Sequence, residues 1–419
     1  TIILCDHITF NVYITHKILA HTRIARKGTC FLFKMKITVF VFALLSWIQL
    51  SHGRCAKVCL FHASSTSLLT FNSRHIDSNI SSLCSHVIVG YGLVVDSYDP
   101  RIQTHEKVAD FLPGLKALRK ANGNFKILLQ VQNWKYSSEL QLTYENAIST
   151  YYGRRHFVPN IVKLLRDMGF DGIQIRESNS GRIVSIKKDH ILFLQDLAAA
   201  FRSESSTTGR AKLLLFESLP ESTNMHILDT FSDVNGICRE VDMVILETQF
   251  FYLRNETHRH HSRLYGDTAD QEHSVNFVTN YALSKGCAQE KLLIAISPES
   301  LTFEKSVGYL FKTKNFTLKG LLPYSYFCQS LKEYSPKVQR SNDLAPYVYY
   351  DVKNKYTKRV EKSVIHYFED AVSLKYKVNY IKQKGLGGFV LWEFIHDDFS
   401  GNCYEGRYPI LSILNRVCK

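Results

Sequence analysis

The chain has little of what builds fibres, low-complexity linkers or a membrane bundle. Glycine and proline together make 30 of 419 residues, too few for a collagen-like or Gly/Pro-rich disordered chain. Tryptophan is scarce at three residues and methionine at four. Hydrophobic residues are 45% and charged residues 21%, which excludes a wholly disordered or coiled-coil chain. Long apolar runs are scarce as well. Only Ile37 to Leu50 approaches spanning length, and it is short for a transmembrane helix. What remains is globular composition with enough chain for a large core. One large domain with an insertion fits, as do two or three domains.

Cationic charge and cysteine, by contrast, are plentiful. Lys and Arg number 52 against 38 Asp and Glu, a net of +14, and ten cysteines are many for a cytosolic protein. The first methionine is Met35. Met35-Lys36, the apolar run to Leu50 and Ser51-His52-Gly53 read as a signal peptide, residues 35–53. Residues 1–34 read as an upstream, non-structural leader. From Arg54 onward the balance is 46 against 37, or +9, and eight cysteines remain: Cys55, Cys59, Cys84, Cys238, Cys287, Cys328, Cys403 and Cys418. An even count behind a signal peptide implies disulfides in a secreted, extracellular protein. The acceptor triplets at Asn79, Asn255 and Asn315 fit glycosylation there.

Eight short apolar runs recur: Lys57–His62, His86–Leu93, Lys126–Val131, Gly172–Arg176, Lys212–Phe216, Met243–Thr248, Lys291–Ile296 and Gly388–Trp392. Their Val, Ile and Leu content fits strands buried on both faces. Helix-patterned segments such as Phe157–Met168 and His190–Ser203 lie between them. The β-α-β-α order predicts a parallel sheet, and eight units point to a (β/α)₈ barrel, an α/β TIM barrel. Composition alone leaves an open doubly wound sheet as the alternative. Residues 302–367, too long for a connection, read as a small α+β insertion after strand seven. The barrel is then 54–301 and 368–419.

The segment from Gly387 through Gly-Phe-Val-Leu-Trp-Glu-Phe-Ile-His-Asp-Asp-Phe-Ser-Gly-Asn to Cys403 resembles the last strand and following loop of glycoside hydrolase family 18, the chitinases and chitinase-like proteins. Leu83–Ile88, Lys126–Trp134, Gly169–Ile173 and Pro346–Asp351 resemble that family's second strand, third strand, catalytic strand and inserted domain. The resemblance implies a TIM barrel acting on chitin or other N-acetylglucosamine oligomers. It also implies the disulfides Cys59–Cys84 and Cys328–Cys403. Cys238 and Cys287 each precede an adjacent strand on one barrel face. Cys55 precedes strand one and Cys418 ends the last helix, so Cys238–Cys287 and Cys55–Cys418 complete the expected set.

The family's catalytic signature, Asp-Gly-x-Asp-x-Asp-x-Glu, reads Asp171-Gly172-Ile173-Gln174-Ile175-Arg176-Glu177-Ser178 here. Strand alternation turns Gln174, Arg176 and Ser178 to the barrel axis. In the family the final acid protonates the leaving oxygen and the preceding Asp orients the substrate acetamido group. Arg176 and Ser178 can do neither, so the chain reads as a pseudoenzyme. Glu177, Glu217 and Glu247 are the carboxylates from which an active glycosidase with rearranged acids would have to be built. By parity Arg176 and Glu247 share the interior, and a lone buried charge is very costly. They are expected to pair and plug the former site, with Gln174 and Gln249 nearby. Trp134, Trp392 and Tyr91 are the candidate sugar-stacking rings, with Glu247 and Gln249 as further ligand contacts.

The leading expectation is an inactive chitinase-like protein that binds chitin oligosaccharide or signals outside the cell. The alternatives are an active family 18 hydrolase, and a protein-binding scaffold or inhibitor with no sugar site. The basic run Arg254–Arg263 could hold an anionic glycan. His258, His260 and His261 within it lack the carboxylate or cysteine spacing of a metal site. No cofactor, metal or nucleic-acid partner is expected, nor a membrane span after Arg54; a monomer is.

Overall fold

The computed structural model describes residues 55–65, 70–132, 138–176, 186–219, 225–251, 259–267, 270–307, 315–341, 344–403 and 405–418. The barrel is formed by β1 (Ala56–His62), β2 (His86–Val95), β4 (Lys126–Gln132), β5 (Gly172–Arg176), β6 (Leu214–Leu219), β7 (Met243–Leu246), β8 (Leu292–Ile296) and β14 (Gly388–Trp392). These strands run parallel, and β1 pairs with both β2 and β14, which closes the sheet. The open doubly wound alternative is thereby excluded. At the β1–β14 seam a Cβ on Gly388 would lie 2.1 Å from the carbonyl oxygen of Ala56, so the closing strand needs glycine there. A short strand, β3 (Arg101–Thr104), folds back antiparallel on β2. Its mixed polar sequence gave no strand signal.

The apolar side chains divide into two cores, as the alternation requires. Val58, Leu60, Ile88, Leu128, Phe216, Ile245, Leu293, Val390 and Trp392 fill the barrel interior. Ile173, Ile175 and most other strand residues pack outward against the helices. The helix predicted over 157–168 extends over Tyr151–Met168, started by Thr150, whose side chain accepts from Gly153 N–H, and stopped by Gly169 in the left-handed region. The helix predicted over 190–203 runs Lys187–Thr208.

After β8 the chain enters a second, antiparallel sheet, ordered β10 (Thr317–Leu322), β9 (Ser300–Ser306), β13 (Val360–Tyr367), β12 (Pro346–Lys353) and β11 (Gln339–Arg340). Helix Tyr324–Tyr334 lies between β10 and β11 in sequence. This α+β insertion begins at Ser300, two residues before the predicted start, because β9 follows β8 after only a short polar turn. All four expected disulfides are present: Cys55–Cys418, Cys59–Cys84, Cys238–Cys287 and Cys328–Cys403. Among the described residues no helix is long and apolar enough to cross a membrane.

Candidate functional site

Ligand chemistry in this architecture sits where the parallel strands end. There the interior is closed by polar side chains in two connected groups. The deeper one crosses the barrel from strand to strand. Glu393, just past β14, accepts from the His62 backbone N–H at 2.8 Å and meets His62 Nδ1 at 2.6 Å. His62 Nε2 lies 2.7 Å from Gln130 Oε1, Gln130 Nε2 donates to Gln174 Oε1 at 2.8 Å, and Gln174 Nε2 donates to Ser218 Oγ at 2.7 Å. The amide orientations are fixed by the Ile175 carbonyl, which accepts from the same Gln174 nitrogen at 3.1 Å. Both ring nitrogens of His62 therefore face oxygen atoms, Glu393 on one side and Gln130 on the other. Gly90 makes room for this: a Cβ there would stand 2.4 Å from the His62 ring.

The second group is nearer the mouth. Arg176 donates through Nε to Glu247 Oε1 at 2.6 Å and through Nη2 to Glu247 Oε2 at 2.7 Å, a bidentate pair. Its Nη1 reaches Gln132 Oε1 at 3.3 Å, and its guanidinium carbon lies 4.5 Å from the centroid of the Trp392 ring. Glu247 is 3% exposed. The expected ion pair is thus formed, with a stacking contact that the sequence did not reveal. Trp392 is itself only 4% exposed, and its ring is part of the interior core as well as the support for Arg176. Tyr91, 8% exposed, stands 6.4 Å from the His62 ring. Gln249 is buried, and its Oε1 has no hydrogen-bond donor among the described residues.

The electrostatics fix Glu393 as an ion. Burial pushes the Glu393 carboxyl up, but His62 and then His396 outweigh it and hold it down to about 2. Burial opposes charge on His396, but Glu299, 2.9 Å away, and Glu393 prevail and raise it to about 9. An acid held at about 2 cannot donate a proton near neutrality. The His62–Glu393 and His396–Glu299 pairs escaped sequence reasoning. Their one signal was position, a polar residue at or just beyond a barrel strand's C-terminal end.

Other candidates fall elsewhere. Asp171, the retained signature acid, lies before β5 at the opposite end of the barrel, where it accepts from Arg119 and from Ile127 N–H. Glu217 points outward into the helix layer, where its Oε1 is 3.1 Å from His190 Nε2. As a mouth carboxylate it is a misreading: the odd positions of β6 face the helices, the even ones the interior. Trp134, Glu177, Ser178 and Asn255 lie outside the described residues. Asn79 and Asn315 are exposed.

The basic run also needs correction. Arg254–His258 lie outside the described residues. Beyond them Arg259 pairs with Asp267, and buried Arg263 with Asp267 and Asp270. His260 and His261 are buried, bonded to the carbonyls of Phe368, Gln249 and Glu299. Burial, then His260, lowers His261 to about 3. A barrel loop packed against the segments that lead into and out of the insertion must bury polar groups, and these histidines satisfy backbone acceptors there. They are staples, neither an anion-binding face nor a ligand set. No cluster of three metal-ligating side chains occurs among the described residues.

Residues 58–397 match the glycosyl hydrolases family 18. The chain belongs to that family. It is 26% identical to chitotriosidase-1 of Mus musculus over 399 residues, covering 89% of this chain and 80% of that one. It is also 26% identical to the oviduct-specific glycoprotein of Sus scrofa over 349 residues, spanning 80% of this chain but 63% of the glycoprotein. Among solved structures, human YKL-39, a pseudo-chitinase with retained chitooligosaccharide binding properties, superposes with a TM-score of 0.71 at 22% identity, covering 87% of this family 18 chain and 99% of its own. The immunomodulatory active chitinase TsES1 of Trichuris suis gives a TM-score of 0.73 at 20% identity, covering 87% and 100%. At these identities the structural matches speak to the fold. Active and inactive proteins share it, so the site must decide between them.

Proposed function

We propose that this family 18 chain is a secreted, glycosylated chitinase-like protein that has exchanged hydrolysis for binding of N-acetylglucosamine oligosaccharides. One observation carries the reading. Where the family signature has acids, Arg176 forms a bidentate pair with Glu247 and lies on the ring of Trp392. A guanidinium there occupies space that a sugar ring would need, and it neutralises the adjacent carboxylate. The carboxylate of Glu393, held at about 2, offers no replacement acid. An oligosaccharide would then lie in the outer cleft, with the deepest position closed. The buried acceptor Gln249 Oε1 supports a residual polar contact, since such atoms are met by a donor from water or ligand. Two proteins related by fold or sequence are a chitooligosaccharide-binding pseudo-chitinase and a chitotriosidase. Cleavage at residue 53, glycans on Asn79, Asn255 and Asn315, and a single barrel domain interrupted by the insertion belong to the same proposal.

The second reading, a protein-binding scaffold, is favoured by the burial of Trp392. Calorimetry with chitin oligomers, run beside a fluorogenic chitobioside assay on the same sample, separates the two. Binding without turnover is the expected result. No binding by a folded sample would move the assignment to the scaffold. Turnover that disappears in Glu177→Gln would overturn the loss of catalysis.

A further inference from the structure

The cationic excess is not spread over the chain. Residues 300–367 hold twelve Lys and Arg against five Asp and Glu, a net of +7, whereas residues 54–299 and 368–419 together hold 34 against 32. Within the insertion the charge gathers at one end of the sheet. The turn from β12 to β13 reads Lys353-Asn-Lys-Tyr-Thr-Lys-Arg359, and Lys353, Lys355, Tyr356, Lys358 and Arg359 are all exposed. Lys305 of β9 joins them, opposite Ser363 of β13. That places it three residues along β13 from the turn, roughly 10 Å. This end lies at the far end of the strands from Ser300 and Tyr367, where the chain enters and leaves the insertion.

The local acids are already engaged. Glu361 accepts from Asn354, Glu304 pairs with Lys362, and Asp351 accepts from Tyr349 and Ser363. Lys305, Lys353, Lys355, Lys358 and Arg359 have no acidic partner within 4 Å among the described residues. The turn that carries them is ordered by Asn354, whose side chain accepts from the N–H groups of Tyr356 and Thr357 and whose carbonyl accepts from Lys358. Lys358 takes the left-handed conformation, φ 58°. A glycine would hold that conformation more cheaply, and the chain places a cation there instead. Tyr356 is 87% exposed at the tip.

We propose that this end of the insertion sheet is a docking surface for a sulfated, heparan-type glycan. Four cations within one seven-residue turn, with Lys305 farther along the same sheet, sum into a field that a linear polyanion meets along its length. A fixed turn spends little entropy on binding. The tyrosine adds a flat face for a sugar ring, which separates a glycan from a membrane surface. Four disulfides place the fold in an oxidising compartment, where sulfated glycans are found.

The test is surface plasmon resonance of the chain from Arg54 onward on immobilised heparin, across a salt series. Lys353→Gln, Lys355→Gln, Lys358→Gln and Arg359→Gln combined should weaken binding at least about tenfold and flatten its dependence on salt. Tyr356→Ala should weaken binding while leaving the salt dependence unchanged. Circular dichroism and the chitin-oligomer titration should not move in either variant. Undiminished heparin binding by the folded fourfold variant would overturn the proposal. So would equal or tighter wild-type binding to phosphatidylserine vesicles or to single-stranded DNA.

Discussion

At the residue scale, the outcome turns on how one strand spends its inward positions. A carboxylate on a barrel axis is tolerable when water, substrate or a counter-charge shares the space. Here Arg176 supplies the counter-charge to Glu247, and Gln174 continues a chain of hydrogen bonds from His62 to Ser218. The pair is close to fully desolvated on the Glu247 side. Breaking it from one side leaves a buried, uncompensated charge. Arg176→Ala should therefore lower stability by roughly 3–5 kcal/mol in urea unfolding, whereas Arg176→Met combined with Glu247→Leu should cost far less. An equal loss in both variants would mean that packing on Trp392 matters more than the charge pair.

At the element scale, the closed sheet is held at its N-terminal face by cross-links that the strand order alone would not supply. Cys238–Cys287 fixes helix Val234–Glu240 to the run entering β8, across a separation of 49 residues. Cys238→Ser with Cys287→Ser is expected to lower stability by about 2–4 kcal/mol. Thermal unfolding of the double variant checks this, and non-reducing peptide maps of the wild type should recover the four pairs. The insertion sheet has its own internal anchor. His366 of β13 meets Thr302 Oγ1 at 3.0 Å and Tyr350 Oη at 3.0 Å, tying three neighbouring strands.

At the scale of the whole molecule, these anchors give stability a definite dependence on pH. Burial lowers His86 to about 4, assisted by Lys126; it lowers His366 to about 4 and His261 to about 3. Each folded value is below the unfolded value of 6.5, so the unfolded chain takes up the proton first. Their contribution is present above about 6.5 and is lost as pH falls toward 4. Asp397, raised to about 7 by burial, opposes them across that window. Three histidines against one aspartate leave a net loss. His396 has the opposite sign: raised to about 9, its contribution is present below 6.5 and lost as pH rises through 9. The urea midpoint should thus peak near neutrality and fall on both sides. His366→Gln should flatten the acid limb; an unchanged limb would remove His366 from the account.

The strand pattern, the eight-unit count and the alternation that sends Gln174 and Arg176 inward are local properties of the chain, and the sequence alone determined them. So was the loss of the signature acids, because a strand's period of two assigns faces without knowledge of its neighbours. The Arg176–Glu247 pair was legible for the same reason, since two inward charges of opposite sign have few other solutions. What pairs across distant strands was not legible. His62 with Glu393 joins residues 331 positions apart, and no spacing rule links the ends of β1 and β14 until the barrel closes. The inward turn of His260, His261 and Arg263 was hidden likewise. A basic loop looks solvated in one dimension, and only its burial between barrel and insertion converts it into a set of staples. The tertiary structure likewise adds Lys305 to the cations of the turn Lys353–Arg359 and leaves that turn exposed, because charge in the sequence becomes a surface only when the fold decides which side chains stay in water.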